Sequence, residues 1–222
     1  MNAGTGPVTF TQAGGNNLGM VAAGATNELV LTGARAGIVI AIPVENNAGG
    51  STAAALTVSG TAGVTFTAAN TYTGTTFVNR LLTLSGAGSI NSSSGIIVDG
   101  SGAEIIQTSS ITLSPPITLT RGTVDGIGAV GTIIVGNGTG GIITNGDGSN
   151  GTLTTSPLDF TGTANLVLNI AAVRNLCHTA RSWQLLNTPN NGVGEITINL
   201  NASLPLLTGS TYDLISYANF TG

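Results

Sequence analysis

The chain has 222 residues, of which only 6% are charged and 34 are Gly, with a formal net charge of −4 and mean hydropathy of +0.38. Globular proteins carry about 25% charged residues and about 7% Gly, and a disordered chain is polar and strongly charged, so this composition excludes both an ordinary mixed domain and a disordered tail. The five basic residues are all Arg and are scattered, which excludes an electrostatic footprint for nucleic acid or for an anionic membrane surface, and no apolar run reaches the roughly 18 residues of a membrane helix.

In chain order, apolar strand cores are expected at 8–10, 29–31, 38–42, 56–58, 64–66, 82–84, 96–98, 111–113, 117–119, 133–135, 142–143 and 166–170. They are short runs of Val, Ile and Leu broken by Gly, Asn, Ser and Thr, which is the pattern of many strands and many turns. Neighbouring cores are often about ten residues apart, and two such steps make a coil of about 20 residues, within the range of repeat units. One coil cannot bury its own apolar face, whereas stacked coils bury a continuous interior. Some ten coils at about 4.8 Å would give a rod on the order of 50 Å long.

Alternation supports half-buried strands. In Thr65-Phe66-Thr67, Thr118-Leu119-Thr120 and Thr152-Leu153-Thr154 a large side chain stands between two threonines, so period two sends one kind inward and the other outward. The expected interior is Val64, Phe66, Leu82, Leu84, Ile96, Val98, Leu113, Ile133 and Val135. Near 173–189 the pattern breaks into an irregular insertion, a loop or short helix holding Arg174, Cys177, His178, Arg181 and Trp183. Alternation returns at 195–200 and 211–217. No linker divides the chain, so 1–222 is expected to be one elongated all-β domain.

The clearest phrase is Asn70-Thr71-Tyr72-Thr73-Gly74-Thr75-Thr76, followed by Leu82-Thr83-Leu84-Ser85-Gly86-Ala87-Gly88. It resembles the autotransporter passenger-associated strand repeat of bacterial surface proteins, over one full repeat from 64 to 90. The chain has one Gly where the family phrase has two, and Arg80-Leu81 where the family has Ala-Gly-Thr. The resemblance implies a right-handed parallel β-helix displayed outside the cell. Passengers follow a signal peptide and precede a membrane β-barrel. The start of this chain has neither a basic n-region nor an apolar h-region, so the expectation is a passenger segment, or a detached relative, whose export information lies elsewhere.

Chemistry-bearing residues are few. Asp99-Gly100, Asp125-Gly126 and Asp147-Gly148 recur at spacings near one coil, so Asp99, Asp125 and Asp147 are candidates for a carboxylate row of the kind that acts on polysaccharides. Asp-Gly is equally a favoured turn dipeptide, and Glu104 and Asp159 complete no acid/base pair with them. Cys177 and His178 are adjacent, so they do not face each other on a strand or a helix, and one His with one Cys falls short of the four ligands zinc wants. The loop 145–151 has the look of a calcium-binding glycine-rich turn but lacks tandem repetition. The Thr-x-Thr units are too irregularly spaced for a flat hydroxyl array.

These readings converge on a non-enzymatic structural or adhesive segment of an exported surface protein, with no cofactor, metal or catalytic residue. Its expected partners are other coils stacked end to end, or a host or polysaccharide surface, with neither nucleic acid nor membrane insertion. Its expected location is the cell surface. The alternative is a polysaccharide-binding or polysaccharide-cleaving β-helix, for which Asp99, Asp125 and Asp147 must converge beside an Arg.

Overall fold

A computed structural model describes residues 6–11, 17–20, 27–47, 53–136, 140–147, 151–170, 183–185 and 196–202. Every regular element among them is a strand. The first nine are β1 (Val8–Phe10), β2 (Leu18–Met20), β3 (Asn27–Gly33), β4 (Ile38–Ile40), β5 (Val44–Asn47), β6 (Ala54–Gly60), β7 (Val64–Phe66), β8 (Thr76–Val78) and β9 (Leu81–Leu84). Next come β10 (Ile96–Gln107), β11 (Ile117–Gly126), β12 (Ile133–Val135) and β13 (Gly141–Thr144). The last are β14 (Thr155–Phe160), β15 (Ala164–Ile170), β16 (Trp183–Leu185) and β17 (Ile196–Ala202).

All pairings between these strands are parallel, and each pairing joins one coil to the next rather than closing a hairpin. Such a chain must climb, so the fold is an all-β parallel β-solenoid. One face is a ladder in which Val8 pairs with Ile38, then Val64, Leu82, Ile105, Val124, Ile143, Leu166 and Ile198 in turn. The steps are 18 to 23 residues long between Val64 and Leu166, as the spacing of apolar cores predicts, and longer at both ends. A second ladder runs Leu29, Leu56, Thr76, Ile96, Ile117, Ile133, Leu158 and Leu185. β10 and β11 are long because each bends across a corner and serves both ladders, with register shifts between Val98 and Glu104 in β10. The third side is thinner: β2 pairs with β5, and Ala69–Ser89, Leu113–Val130 and Ala129–Thr154 are single bridges.

The interior is one continuous cluster. All nine expected core residues are buried, Val64, Phe66, Leu82 and Leu84 completely. Successive rungs put Val58, Val78, Val98, Leu119 and Val135 one above another, so each coil buries its neighbour's apolar face. Among the described residues the long ladder has nine strands, fewer than the roughly ten coils expected. Cys177, His178, Arg174 and Arg181 lie outside the described residues, as do 211–217. Within 173–189 only Trp183–Leu185 is described, as β16 paired with β14 rather than as a loop or helix.

The Asn70–Thr76 phrase builds a corner between the third side and the second ladder. Asn70 is buried: its Oδ1 accepts from Val44 N at 2.9 Å, and its Nδ2 donates to Ser89 O at 2.8 Å and Ala68 O at 3.0 Å. It therefore ties its own coil to the coil on each side. Gly74 packs so close to the previous coil that an added Cβ would lie 2.3 Å from Ala54 O. Thr76 occupies an inward ladder position, and its hydroxyl lies 2.8 Å from Tyr72 Oη and 2.9 Å from Ser93 Oγ. Ser93 Oγ in turn donates to Gly74 O and Gly95 O at 2.8 and 3.0 Å. A buried hydroxyl is tolerated where it is bonded, and burial pushes the Tyr72 phenol well above its ordinary range.

Candidate functional site

Of the three sequence-nominated carboxylates, Asp99 stands apart while Asp125 and Asp147 meet. Asp99 stands at the corner between the second and first ladders, where it meets Arg121 on the next coil at 3.4 Å, Oδ1 to Nε. Both side chains are about half exposed, at 46% and 52%, so the pair contributes little to stability. Asp125 lies on that next coil, four residues past Arg121 on β11, and is buried. Its Oδ1 accepts from its own neighbour Gly126 N at 2.5 Å and from Asp147 N at 3.0 Å. Asp125 thus holds the turn of the next coil, in which Asp147 takes a positive φ of 49°.

Glu104 joins the latter two. It lies on the first ladder opposite Thr123, two residues short of the position opposite Asp125. Partial burial, and then the charges of Asp125 and Asp147, raise its carboxyl above the ordinary glutamate range, while Arg80 opposes the shift. Arg80 reaches toward Gly102 O and Thr61 O at 3.5 and 3.4 Å, and its Nε is buried without a partner. Asp159 is half-buried on β14, opposite Ile134. Among the described residues no group of three or more His, Cys, Asp and Glu side chains is placed to hold a metal ion, and no helix is long and apolar enough to cross a membrane.

A different feature gathers residues from several coils. An open groove of about 410 Å³ runs along the corner beside Arg121. Its wall is one outward ladder row, Thr123, Ile142, Asn165 and Thr197, each paired with the next. Its floor includes Gly122, Gly140 and Gly141. Gly122 has φ +128°, and a Cβ there would lie 2.5 Å from Ala103 O, so the turn accepts no larger residue without strain. The coils close up at this corner because glycine lets them, and the missing side chains leave the depression. Sequence reasoning passed over Arg121 and this row. The only signal was glycine at 122 and 140–141, which reads equally as ordinary turn chemistry.

No protein-family model matches the chain, and no significant match to a curated protein or a solved structure was found.

Proposed function

We propose that this chain is a non-enzymatic, rod-forming segment of an exported bacterial surface protein, acting as a stalk and adhesive surface that extends by stacking end to end. The observation that carries this reading is that, among the described residues, the first ladder ends on both sides in an exposed apolar row. Val8 and Phe10 on β1 are 42% and 40% exposed, and Ile198 and Leu200 on β17 are both 51% exposed. In every rung between them the equivalent positions face inward. A second copy seated with its β1 on β17 sets Val8 over Ile198 and Phe10 over Leu200, and continues the ladder at about 4.8 Å per rung.

The amide stacks support the same polarity. Asn201 Nδ2 donates to Asn169 Oδ1 at 2.9 Å, and Asn169 N donates to Asn145 Oδ1 at 2.8 Å. Asn199 Nδ2 donates to Asn165 Oδ1 at 2.7 Å. Both columns run to β17, where Asn199 and Asn201 each donate to the preceding coil. A surface location is supported by the resemblance of 64–90 to passenger repeats. The non-enzymatic reading is supported by the carboxylates' occupations: Asp99 is engaged by Arg121, and Asp125 holds the backbone of a turn.

Sedimentation velocity over rising protein concentration tests the stacking. The expected result is a series of longer species that disappears in Ile198→Asp and persists in Thr118→Asp, a change on the lateral face. A monomer at every concentration would overturn the stacking. Antibody labelling of intact against permeabilised cells tests the location, and labelling only after permeabilisation would overturn it.

A further inference from the structure

We infer that the corner groove beside Arg121 binds an extended, uncharged glycan chain laid along the stack, a proposal that rests on the adhesive reading above and names its ligand class. The groove's shape selects a polymer. Its wall spans the coils that contribute Thr123, Ile142, Asn165 and Thr197, with Ser101 one coil further back, a span on the order of 19 Å at the ladder spacing. It is open along its length, so it encloses no small molecule. It also crosses the strands at right angles, so a peptide laid in it cannot pair with strand edges, and recognition falls to side chains.

Those side chains suit hydroxyls. Arg121 is held at its Nε by Asp99, and among the described residues its Nη groups have no partner. The guanidinium's remaining donors form a planar fork, the geometry that spans two vicinal hydroxyls. The hydroxyls of Thr123 and Thr197 repeat along the wall and serve as donor or acceptor. Ile142, 37% exposed between them, offers an apolar patch for the C–H face of a sugar ring.

Charge decides between neutral and acidic glycans. Asp99 already balances Arg121, and Glu104 stands on the same ladder row, opposite Thr123. A polyanion running along this row would meet the carboxylates of Asp99 and Glu104, with Arg121 already beside the one and Arg80 beside the other, whereas a neutral chain meets only donors and acceptors.

Titration calorimetry of the full chain with β-1,4-linked glucose oligomers of two to eight units, and with galacturonate oligomers of the same lengths, tests the proposal. Affinity for the neutral series is expected to rise with length up to about four units and then level off, as the groove fills. The acidic series is expected to bind at least tenfold more weakly. Arg121→Ala, an exposed position whose loss leaves the fold intact, should abolish neutral-series binding while melting unchanged. Glu104→Gln should narrow the difference between the two series. No binding by any neutral oligomer, tighter binding of the acidic series, binding that survives Arg121→Ala, or a preference for an acidic peptide would each overturn the inference. None of these bears on stacking, which sedimentation decides separately.

Discussion

Leu84→Asp tests the interior directly. Leu84 is completely buried at the end of β9, and its rung neighbours on the first ladder are Phe66 and Gln107. Removing the leucine forfeits about 2 kcal/mol of apolar burial. The replacement carboxyl finds no free donor: Gln107 Nε2 is already directed at Ile111 O, and Gln107 Oε1 is itself a buried acceptor without a partner. An unpaired buried polar group adds at least about 2 kcal/mol, so the loss near neutral pH is about 4–6 kcal/mol. At roughly 2–4 °C per kcal/mol for a chain of this size, the melting temperature falls by roughly 10–20 °C. The loss must also depend on pH. Burial favours the neutral acid, whose O–H can donate to Gln107 Oε1, so the folded pKa lies above the unfolded value of about 3.9. A group raised in this way contributes its stability fully below about pH 4 and loses it as pH rises through the folded pKa. Melting followed by far-ultraviolet circular dichroism should therefore show a smaller deficit in acid than at neutrality for Leu84→Asp, and a pH-independent deficit for Leu84→Asn. An unchanged melting temperature, or equal deficits at both pH values, would refute the placement of Leu84 in a dry interior.

Asn70→Ala removes the acceptor of Val44 N and the donor to two carbonyls, and should cost about 2–4 kcal/mol in chemical denaturation; a loss under about 0.5 kcal/mol would contradict the inter-coil tie. Gly122→Ala forces a Cβ to 2.5 Å from Ala103 O at φ +128° and should cost more than about 2 kcal/mol, with a wild-type melting curve as the contrary result. Glu104→Gln removes a carboxylate whose folded pKa is raised by burial, Asp125 and Asp147. It should raise the melting temperature at neutral pH and leave it unchanged well below the unfolded value of about 4.3, so a gain confined to acid would show the sign to be wrong.

The fold was legible wherever alternation was unbroken. Every expected core from 8–10 to 166–170 meets a described strand except 111–113, where only Leu113 makes a bridge, and 38–42 runs two residues past β4. Among what escaped are rungs whose inward residue is polar. Thr76 sits between Leu56 and Ile96 on the second ladder, and reads as a turn residue until its bonds to Tyr72 and Ser93 are seen. The same holds for the ends of β10 and β11, where Gln107 and the Asp125-Gly126 pair interrupt the apolar run. Pattern reading scores each residue alone, whereas a hydroxyl or amide becomes a core residue through partners 17 or more positions away.

The lateral surface was less legible for a related reason. In a solenoid the inward residues carry the fold, and each is fixed by the rung above and the rung below. The outward residues on the same strands answer only to solvent and to whatever lies along the rod. Thr123, Ile142, Asn165 and Thr197 form a row because register carries them there, although they are 19, 23 and 32 residues apart. No local motif encodes such a row, so a search for motifs finds the turns, including three Asp-Gly pairs, and misses the wall. Asp99 illustrates the point: its meaning comes from Arg121 one coil away, and not from the glycine beside it. Interaction sites on this architecture are properties of the register, and the ladder has to be assigned before the surface can be read.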